Sequence, residues 1–279
     1  MKNLILDRYN QLSESQKKLA DFFLENLDLI PFLNIYQISE ATQYSVASIV
    51  RFTQKLGFKG YSDFKNAFTK HFQKNIKKLE MFPLVQLDKL KEHTLTAVAN
   101  QDIKNINETL KLIDTKTFDE VVSLILSSDR VYTMGLGISY LLAQLLAYQL
   151  MQVGVDAYYF KNDSTTFFDQ ILFLTPQDLI IAFSFPPYSI ETIEAAKFAK
   201  ERKIKVVSIT NKHAAPITFY SSKSLLVKSD NMLFTNSFSA ISVLINAFAT
   251  ECTKQDKKRA EKILADFNLI LERFNKVIT

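Results

Sequence analysis

Cysteine is almost missing from this 279-residue chain: Cys252 stands alone. No intrachain disulfide can form, which fits a reducing compartment. Histidine is nearly as scarce. His71, His93 and His213 lie far apart in sequence, and no His/Cys cluster has the spacing of a metal site, so neither a metal nor another cofactor is expected. Glycine numbers only five. The one G-x-G, at Gly135 and Gly137, meets Tyr140 where a dinucleotide fingerprint needs its third glycine. Internal repeats and low-complexity segments are absent. The opening M-K-N-L-I-L-D-R-Y-N has no apolar core long enough for a signal peptide, so a cytoplasmic protein is expected. Two uncharged runs, Val131 to Val155 and Asn231 to Thr250, approach membrane-spanning length. Polar residues interrupt both: Gln144 and Gln149 in the first, Asn236, Ser237 and Asn246 in the second. Gly135 and Gly137 also split the first run. Buried elements of an α/β core account for both runs better than membrane helices do, and no membrane partner is expected.

The length allows one or two domains with a large core. Hydrophobic residues make up 47% and charged residues 23%, ordinary values for a globular protein. The net charge is only +5, so its placement is what informs. From Met1 to Val50 four basic residues face six acidic ones. From Arg51 to Lys78 there are eight basic residues and only Asp63 against them. Such a cluster suits phosphate neutralisation, although Lys-rich solvated helix faces are common.

The cluster begins inside the most informative stretch, Tyr36 to Lys55. Ile35, Ile38 and Ala41 give a first short helix its apolar stripe. Gln43 and Tyr44 make a turn, and Ser45 is placed to cap a second helix. Val46, Ile49 and Val50 form that helix's inward stripe, extended by Phe52 and Leu56, and Gly57 stops it. Ala47, Ser48, Arg51 and Lys55 face outward. This surface is small at its start and cationic further along, which fits a DNA major groove. The same pattern also suits a plain three-helix bundle with a solvated polar face, and on this segment alone the two readings stand level.

Around it, Ser13 to Asn26 reads as a capped helix and Phe64 to Lys78 as a basic helix, with Pro31 and Pro83 as breaks. Leu84 to Ile113 has the pattern of a connecting helix. Phe118 to Leu126 is a short helix started by Asp114, Thr115 and Thr117. From Asp129 the texture alternates. Strands are expected at Val131 to Met134, Ala157 to Phe160, Leu179 to Phe183, Val206 to Thr210 and Ser224 to Val227. Helices are expected at Ser139 to Val153, Thr165 to Leu174, Ser189 to Arg202 and Pro216 to Tyr220. Five strands with helical crossovers imply a parallel, three-layer α/β/α sheet domain. Phe234 to Cys252 reads as a buried helix. Lys257 to Val277 is an amphipathic closing helix, with Ile263, Leu264, Phe267, Ile270, Leu271 and Phe274 on its apolar side. The expected division is residues 1–78 for a helical domain, 79–114 for a helical linker, 115–254 for the sheet domain and 255–279 for the closing helix.

Ligands of open α/β sheets bind beyond the carboxyl ends of the strands. Three loops there carry suitable residues: Gly135, Gly137 and Ser139; Ser184 and Ser189 around Pro186-Pro187; and Thr210 to His213. Asn236 and Ser237, opening the penultimate helix, are further candidates for the same cleft. Each serine alone reads more simply as a helix cap; several together suggest a pocket for an anionic, hydroxyl-rich small molecule. His213, Glu191 and Glu194 are the only acid/base candidates, and no nucleophile–base pair is legible.

Both halves resemble one family. The runs L-S-E-S-Q-K-K-L-A-D-F-F-L-E-N and V-R-F-T-Q-K-L-G-F-K-G-Y-S-D-F-K, with G-L-G-I-S, E-A-A-K-F-A-K-E-R and V-V-S-I-T-N, are similar to RpiR-type transcriptional regulators. These join an N-terminal helix-turn-helix to a sugar isomerase (SIS) domain, and the resemblance spans roughly Leu12 to Cys252. All five glycines fall at positions the family uses. The resemblance implies a homodimer on a palindromic double-stranded operator of sugar-catabolism genes, with pairing of dimers into a tetramer left open. Its SIS domain would sense a phosphosugar or related small anion. Ser45, Ala47, Ser48, Arg51 and Lys55 would face the groove, and Lys59, Lys65 and Lys70 the phosphates. Ser139, Ser184 and Ser189 match positions that hold the effector phosphate. Where SIS phosphate loops read S-x-S-G-x-T, Pro186 and Pro187 replace the second serine and the glycine. Proline has no N–H to donate, so either the remaining serines suffice or the effector is not a typical phosphosugar. A phosphosugar isomerase with an added helical domain is the alternative.

Overall fold

The computed structural model describes residues 2–27, 30–31, 33–76, 92–163, 165–233 and 235–274. The chain forms two compact units, Met1–Pro83 and Leu84–Thr279.

In the first unit, α1 (Lys2–Arg8) and a 3-10 turn (Tyr9–Gln11) lead into α2 (Glu14–Glu25), α3 (Ile35–Thr42), α4 (Val46–Lys55) and α5 (Tyr61–Ile76). A capping box of Ser13 and Gln16 starts α2. The core is aromatic. Phe23 stacks on Phe52 at 5.3 Å and meets Phe64 edge-on at 5.1 Å, and Phe64 lies 4.7 Å from Phe68. Ile5 of α1, an element the sequence pattern did not suggest, is fully buried. On α3 the expected stripe is corrected at one place. Ala41 is exposed, and Thr42 is half-buried, its hydroxyl donating to Ile38 O at 2.6 Å. The basic helix begins at Tyr61 rather than Phe64; Lys77 and Lys78 lie outside the described residues.

The second unit opens with α6 (Thr94–Leu112), which packs on α11 (Ser239–Gln255); the expected start at Leu84 lies outside the described residues. Then come α7 (Thr115–Ser127), β1 (Val131–Met134), α8 (Ile138–Gln152), β2 (Ala157–Tyr159) and α9 (Phe167–Ile171). They are followed by β3 (Leu179–Phe183), α10 (Ile190–Glu201), β4 (Lys205–Thr210), a 3-10 turn (Pro216–Tyr220), β5 (Lys223–Leu226) and α12 (Lys257–Phe274). Among the described residues five strands form one parallel sheet in the order β2-β1-β3-β4-β5. Its central strand β3 is buried at every residue, as a sheet covered on both faces should be. Strand ends differ from expectation by one residue at β2, β4 and β5.

Helix α9 is shorter than the expected Thr165 to Leu174. A capping box of Thr166 and Asp169 fixes its start, and tighter i→i+3 bonds from Phe173 and Leu174 close its end. Helix α11 starts later than expected, at Ser239, so Asn236 and Ser237 precede it; Phe234 lies outside the described residues. Leu264, Phe267 and Ile270, expected on the apolar side of α12, are exposed. What anchors α12 is Gly154: a Cβ there would lie 2.6 Å from Arg259 Cγ and 2.9 Å from Ile263 Cγ1. No helix among the described residues is long and apolar enough to cross a membrane. Both uncharged runs belong to the sheet unit, but α8 and α11 are buried on one side only.

Candidate functional site

Local hydrogen bonds set the geometry of α3 and α4. Asn34 Oδ1 accepts from the Tyr36 and Gln37 amides, and Gln37 Oε1 accepts from Asn34 N. Gln43 takes the left-handed conformation that turns the chain (φ 58°), and Ser39 Oγ donates to Tyr44 O at 2.6 Å. Ser45 caps α4, accepting from Ser48 N at 3.2 Å. The helix ends in a Schellman motif: Phe58 N reaches Thr53 O and Gly57 N reaches Gln54 O, with Gly57 at φ +90°.

Ile49 and Phe52 point into the core, while Val46 and Val50 are half-buried. Ala47, Arg51, Gln54 and Lys55 are exposed on the opposite side. Ser48, expected as a groove contact, is half-buried and already engaged: its Oγ lies 2.9 Å from Ser45 Oγ and accepts from Arg51 Nη2 at 3.4 Å. Gln54 was missed from the sequence. Its spacing, three after Arg51 and seven after Ala47, would have found it, and its amide can pair with an adenine edge. Lys59 and Lys70 are exposed; Lys65 is half-buried.

In the sheet unit, β1 pairs with β2 on one side and β3 on the other, so the chain reverses winding direction between β1 and β3. The loops after these two strands therefore flank the switch point, where α/β sheets bind ligands. After β1, Gly137 is the N-cap of α8 at φ 61°, ψ −130°, and a Cβ there would meet nothing within 4 Å. Gly135 has a different role from the expected ligand approach. A Cβ on it would lie 2.7 Å from Ser139 Cβ, so its absence lets α8 close onto β1. Ser139 is buried in the first turn and is not the cap.

After β3 the loop is hydrogen-bonded to its neighbours. Ser189 caps α10, accepting from Thr192 N at 3.2 Å, as expected. The Pro186-Pro187 peptide is cis. Tyr188 Oη donates to Asn211 Oδ1 at 2.7 Å, joining this loop to the one after β4. Asn236 Nδ2 donates to Pro186 O at 2.7 Å, and Ser229 Oγ donates to Asn236 Oδ1 at 3.0 Å. Ser237 instead donates to Asp102 Oδ1 of α6 at 2.7 Å. Ser184 O accepts from Thr210 Oγ1 at 2.6 Å. The Ser184 hydroxyl is buried without a hydrogen-bond partner, and so is Thr192 Oγ1. Each such orphan costs about 1–3 kcal/mol, which marks the place where an outside polar group has most to contribute.

The structure thus brings Ser184, Ser189 and Asn236 to one loop cluster, with Gly135, Gly137 and Ser139 at the adjoining strand end. His213 is exposed beyond β4 and is not drawn into the cluster. Glu194 pairs with Lys197 at 3.6 Å along the surface of α10. Among the described residues no group of three His, Cys, Asp or Glu is placed to hold a metal ion.

Residues 1–75 match the family model of the helix-turn-helix domain of the rpiR family, and residues 124–251 match the SIS domain. An uncharacterised HTH-type transcriptional regulator of Haemophilus influenzae is 32% identical over 227 residues, covering 78% of this chain and 76% of that protein. Another from Clostridium perfringens is 29% identical over 226 residues, covering 80% and 79%. Among solved structures, the Vibrio vulnificus NanR protein complexed with ManNAc-6P aligns with a TM-score of 0.63 at 23% identity, over 97% of this chain and 99% of that one. The sugar isomerase domain of an RpiR transcription factor from Sphaerobacter thermophilus aligns with a TM-score of 0.61 at 22% identity, over 63% and 99%. At these identities the two structures speak for the fold.

Proposed function

Because this chain belongs to the rpiR family of helix-turn-helix transcriptional regulators with a SIS domain, we propose that a sugar phosphate or a related small anion controls its binding to DNA. It acts in the cytoplasm as a homodimer on a palindromic operator. Arg51 and Lys55, with Gln54, face the major groove; Ala47 permits close approach; Ser48 holds Arg51; Lys59 and Lys70 meet phosphates. The effector lies at the switch point, against Ser184, Ser139 and the first turn of α10. One observation carries this placement: Ser184 Oγ is a buried hydroxyl with no partner, at the end of the central strand and beside the switch point. The fold likeness to a protein complexed with ManNAc-6P supports the ligand class.

Catalysis is not part of the proposal. An isomerase needs an acid/base pair at the site; of the three candidates His213 is exposed and Glu194 is in a surface ion pair, which leaves Glu191 in the first turn of α10 as a single carboxylate. The test is binding to the DNA flanking its own gene, at two salt concentrations, with a panel of phosphorylated and unphosphorylated sugars. Competitor-resistant binding altered by one sugar phosphate, with the response lost in Ser184→Ala, is the expected result. Specific binding that no sugar alters would remove the effector site while leaving the regulator.

A further inference from the structure

A surface helix ordinarily buries an apolar stripe. Helix α6 departs from this. Three of its residues are buried, Ala97, Asn105 and Thr109, while Leu95, Ile103 and Leu110 are exposed and Ile106 only partly covered. Asp102, Asn105 and Thr109 recur at i, i+3 and i+7, so they share one face of the helix. All three bond to the segment that joins β5 to α11. Ser237 Oγ donates to Asp102 Oδ1 at 2.7 Å, Asn105 Nδ2 to Asp230 O at 2.8 Å, and Lys228 N to Thr109 Oγ1 at 2.9 Å. Asn105 is 0% exposed, and the other end of its amide is used as well, accepting from Gln101 Nε2 at 3.2 Å. The same segment reaches the loop after β3. Ser237 N donates to Ser229 O at 2.9 Å, which closes the segment on itself. Asn236 then spans the gap: Oδ1 accepts from Ser229 Oγ, and Nδ2 donates to Pro186 O. Pro186 stands two residues beyond Ser184, whose hydroxyl has no partner.

We propose that α6 is the output element of the effector site, driven through this row of hydrogen bonds. The inference rests on the effector reading above and names how that site acts on the rest of the chain. A ligand that bonds to Ser184 settles against the loop after β3, and the Pro186 carbonyl of that loop is tied to Asn236. Movement of the carbonyl carries Asn236 with it, and with Asn236 the segment holding Ser229, Asp230 and Ser237. Helix α6 follows because its contacts to the segment are directional. A hydrogen bond weakens steeply when bent, whereas apolar contact tolerates sliding. Asn105 sharpens the requirement. A buried amide that loses its partner is costly, so α6 either keeps step with Asp230 or takes a second position. Helix α6 is also the first described helix after the Met1–Pro83 unit, so a change in its position passes along the chain to the helices that bind DNA. An element with two positions, biased by sugar through one end and by DNA through the other, is what coupling between two sites requires.

The experiment uses the full chain and the DNA flanking its own gene. The probes are hexose and N-acetylhexosamine 6-phosphates with their unphosphorylated parents. Operator affinity is measured with and without each sugar, and the ratio of the two is the coupling. Sugar affinity is measured separately, by calorimetry without DNA. The double variant Asp102→Ala/Thr109→Val removes two acceptors from α6. Ser237 Oγ keeps Ser239 Oγ at 2.9 Å, and valine keeps the shape of the threonine. This variant is expected to bind sugar within about twofold of wild type and to lose at least threefold of a coupling that typically spans about 5–150-fold. If circular dichroism shows that it has lost its fold, Asp102→Ala alone is expected to move the ratio towards one by at least about 1.5-fold. Wild-type coupling in the well-folded variants would overturn this inference alone. A loss of sugar affinity equal to the loss of coupling would place the row in the binding site and overturn its output role. A wild type whose operator binding no sugar alters would overturn the effector reading and this inference together.

Discussion

Arg8 closes the carboxyl end of helix α4. Its Nη1 donates to Lys55 O at 3.1 Å, and the same nitrogen lies 2.9 Å from where a Cβ on Gly57 would be. One cation thus satisfies a terminal carbonyl, opposes the negative end of the helix and fills the space a side chain would need. Gly57→Ala meets that guanidinium and also forces an L-residue to φ +90°, so it should destabilise the N-terminal unit by about 1–2 kcal/mol. Gly60→Ala, with nothing within 4 Å, should be close to neutral. Denaturant unfolding of the two variants checks the contrast; equal effects would contradict the packing argument.

Base reading and phosphate binding separate by their salt dependence. Arg51→Ala should cost about 1–3 kcal/mol of operator affinity and relax specificity at one position. Ser48→Ala should give a weaker copy of the same specificity change, because it frees the Arg51 guanidinium without removing it. Lys59→Ala should weaken all sequences alike and reduce the salt slope by about one. Titrations against operator and scrambled duplexes at several salt concentrations distinguish the three. A Ser48→Ala protein with unaltered specificity would return Ser48 to a plain helix-start role.

The parts of the fold read correctly from sequence are those set by local pattern. The strands β1 and β3 came out to the residue because each is a short apolar run between turn signals. Helix α4 was legible because Ser45, Ile49, Phe52 and Gly57 give cap, inward face and stop within one segment. Contacts between distant segments were hidden. Nothing near Gly154 announces that Arg259 and Ile263 settle on it, and nothing near Lys55 announces Arg8. The uncharged runs misled in a specific way. Apolar composition alone cannot say whether both sides of a helix are covered by its own chain, so α8 and α11 read as wholly buried. In the candidate site, residue types were legible but partners were not: Asn236 is spent on Pro186 O, and Ser237 on Asp102.

The lone cysteine should be inert in the folded protein. Cys252 is 2% exposed, and burial pushes its thiol up to about 11, well above neutrality. Since the thiolate is the reactive form, both access and ionisation are blocked. A thiol-specific chromogenic reagent at pH 8 should label no native protein within an hour and one thiol per chain in denaturant. Prompt labelling without denaturant would mean that the C-terminal end of α11 opens readily.

An ion pair between half-buried Arg130 and buried Asp178 ties the start of β1 to the start of β3 and should contribute to acid stability. Arg130 donates to both carboxylate oxygens of Asp178, Nε to Oδ1 at 2.9 Å and Nη2 to Oδ2 at 2.7 Å. Thr175 adds its amide to Oδ2 at 2.7 Å and its hydroxyl at 3.2 Å. Burial by itself would raise the Asp178 carboxyl, but the hydrogen bonds from Arg130 and Thr175 overcome it and hold the group below the usual carboxylate range. The hydrogen bond with Asp178 raises the Arg130 guanidinium in turn, so it stays charged throughout. A carboxylate depressed in the folded state adds stability above its unfolded value of about 3.9. That contribution fades as the pH falls from there through the folded value, because the unfolded chain takes up the proton first. Asp178→Ala removes the buried partner of Arg130, whose guanidinium is a third exposed and can turn to water. It should therefore cost less than the about 3–5 kcal/mol of breaking a fully buried pair, roughly 2 kcal/mol at pH 7. Asp178→Asn should cost less, since its amide can still accept from Arg130 through one oxygen. Melting curves of wild type and Asp178→Asn at pH 7 and pH 3 provide the check. The difference between the two proteins should shrink at pH 3, and a difference that stays constant would show that ionisation of Asp178 adds nothing to stability.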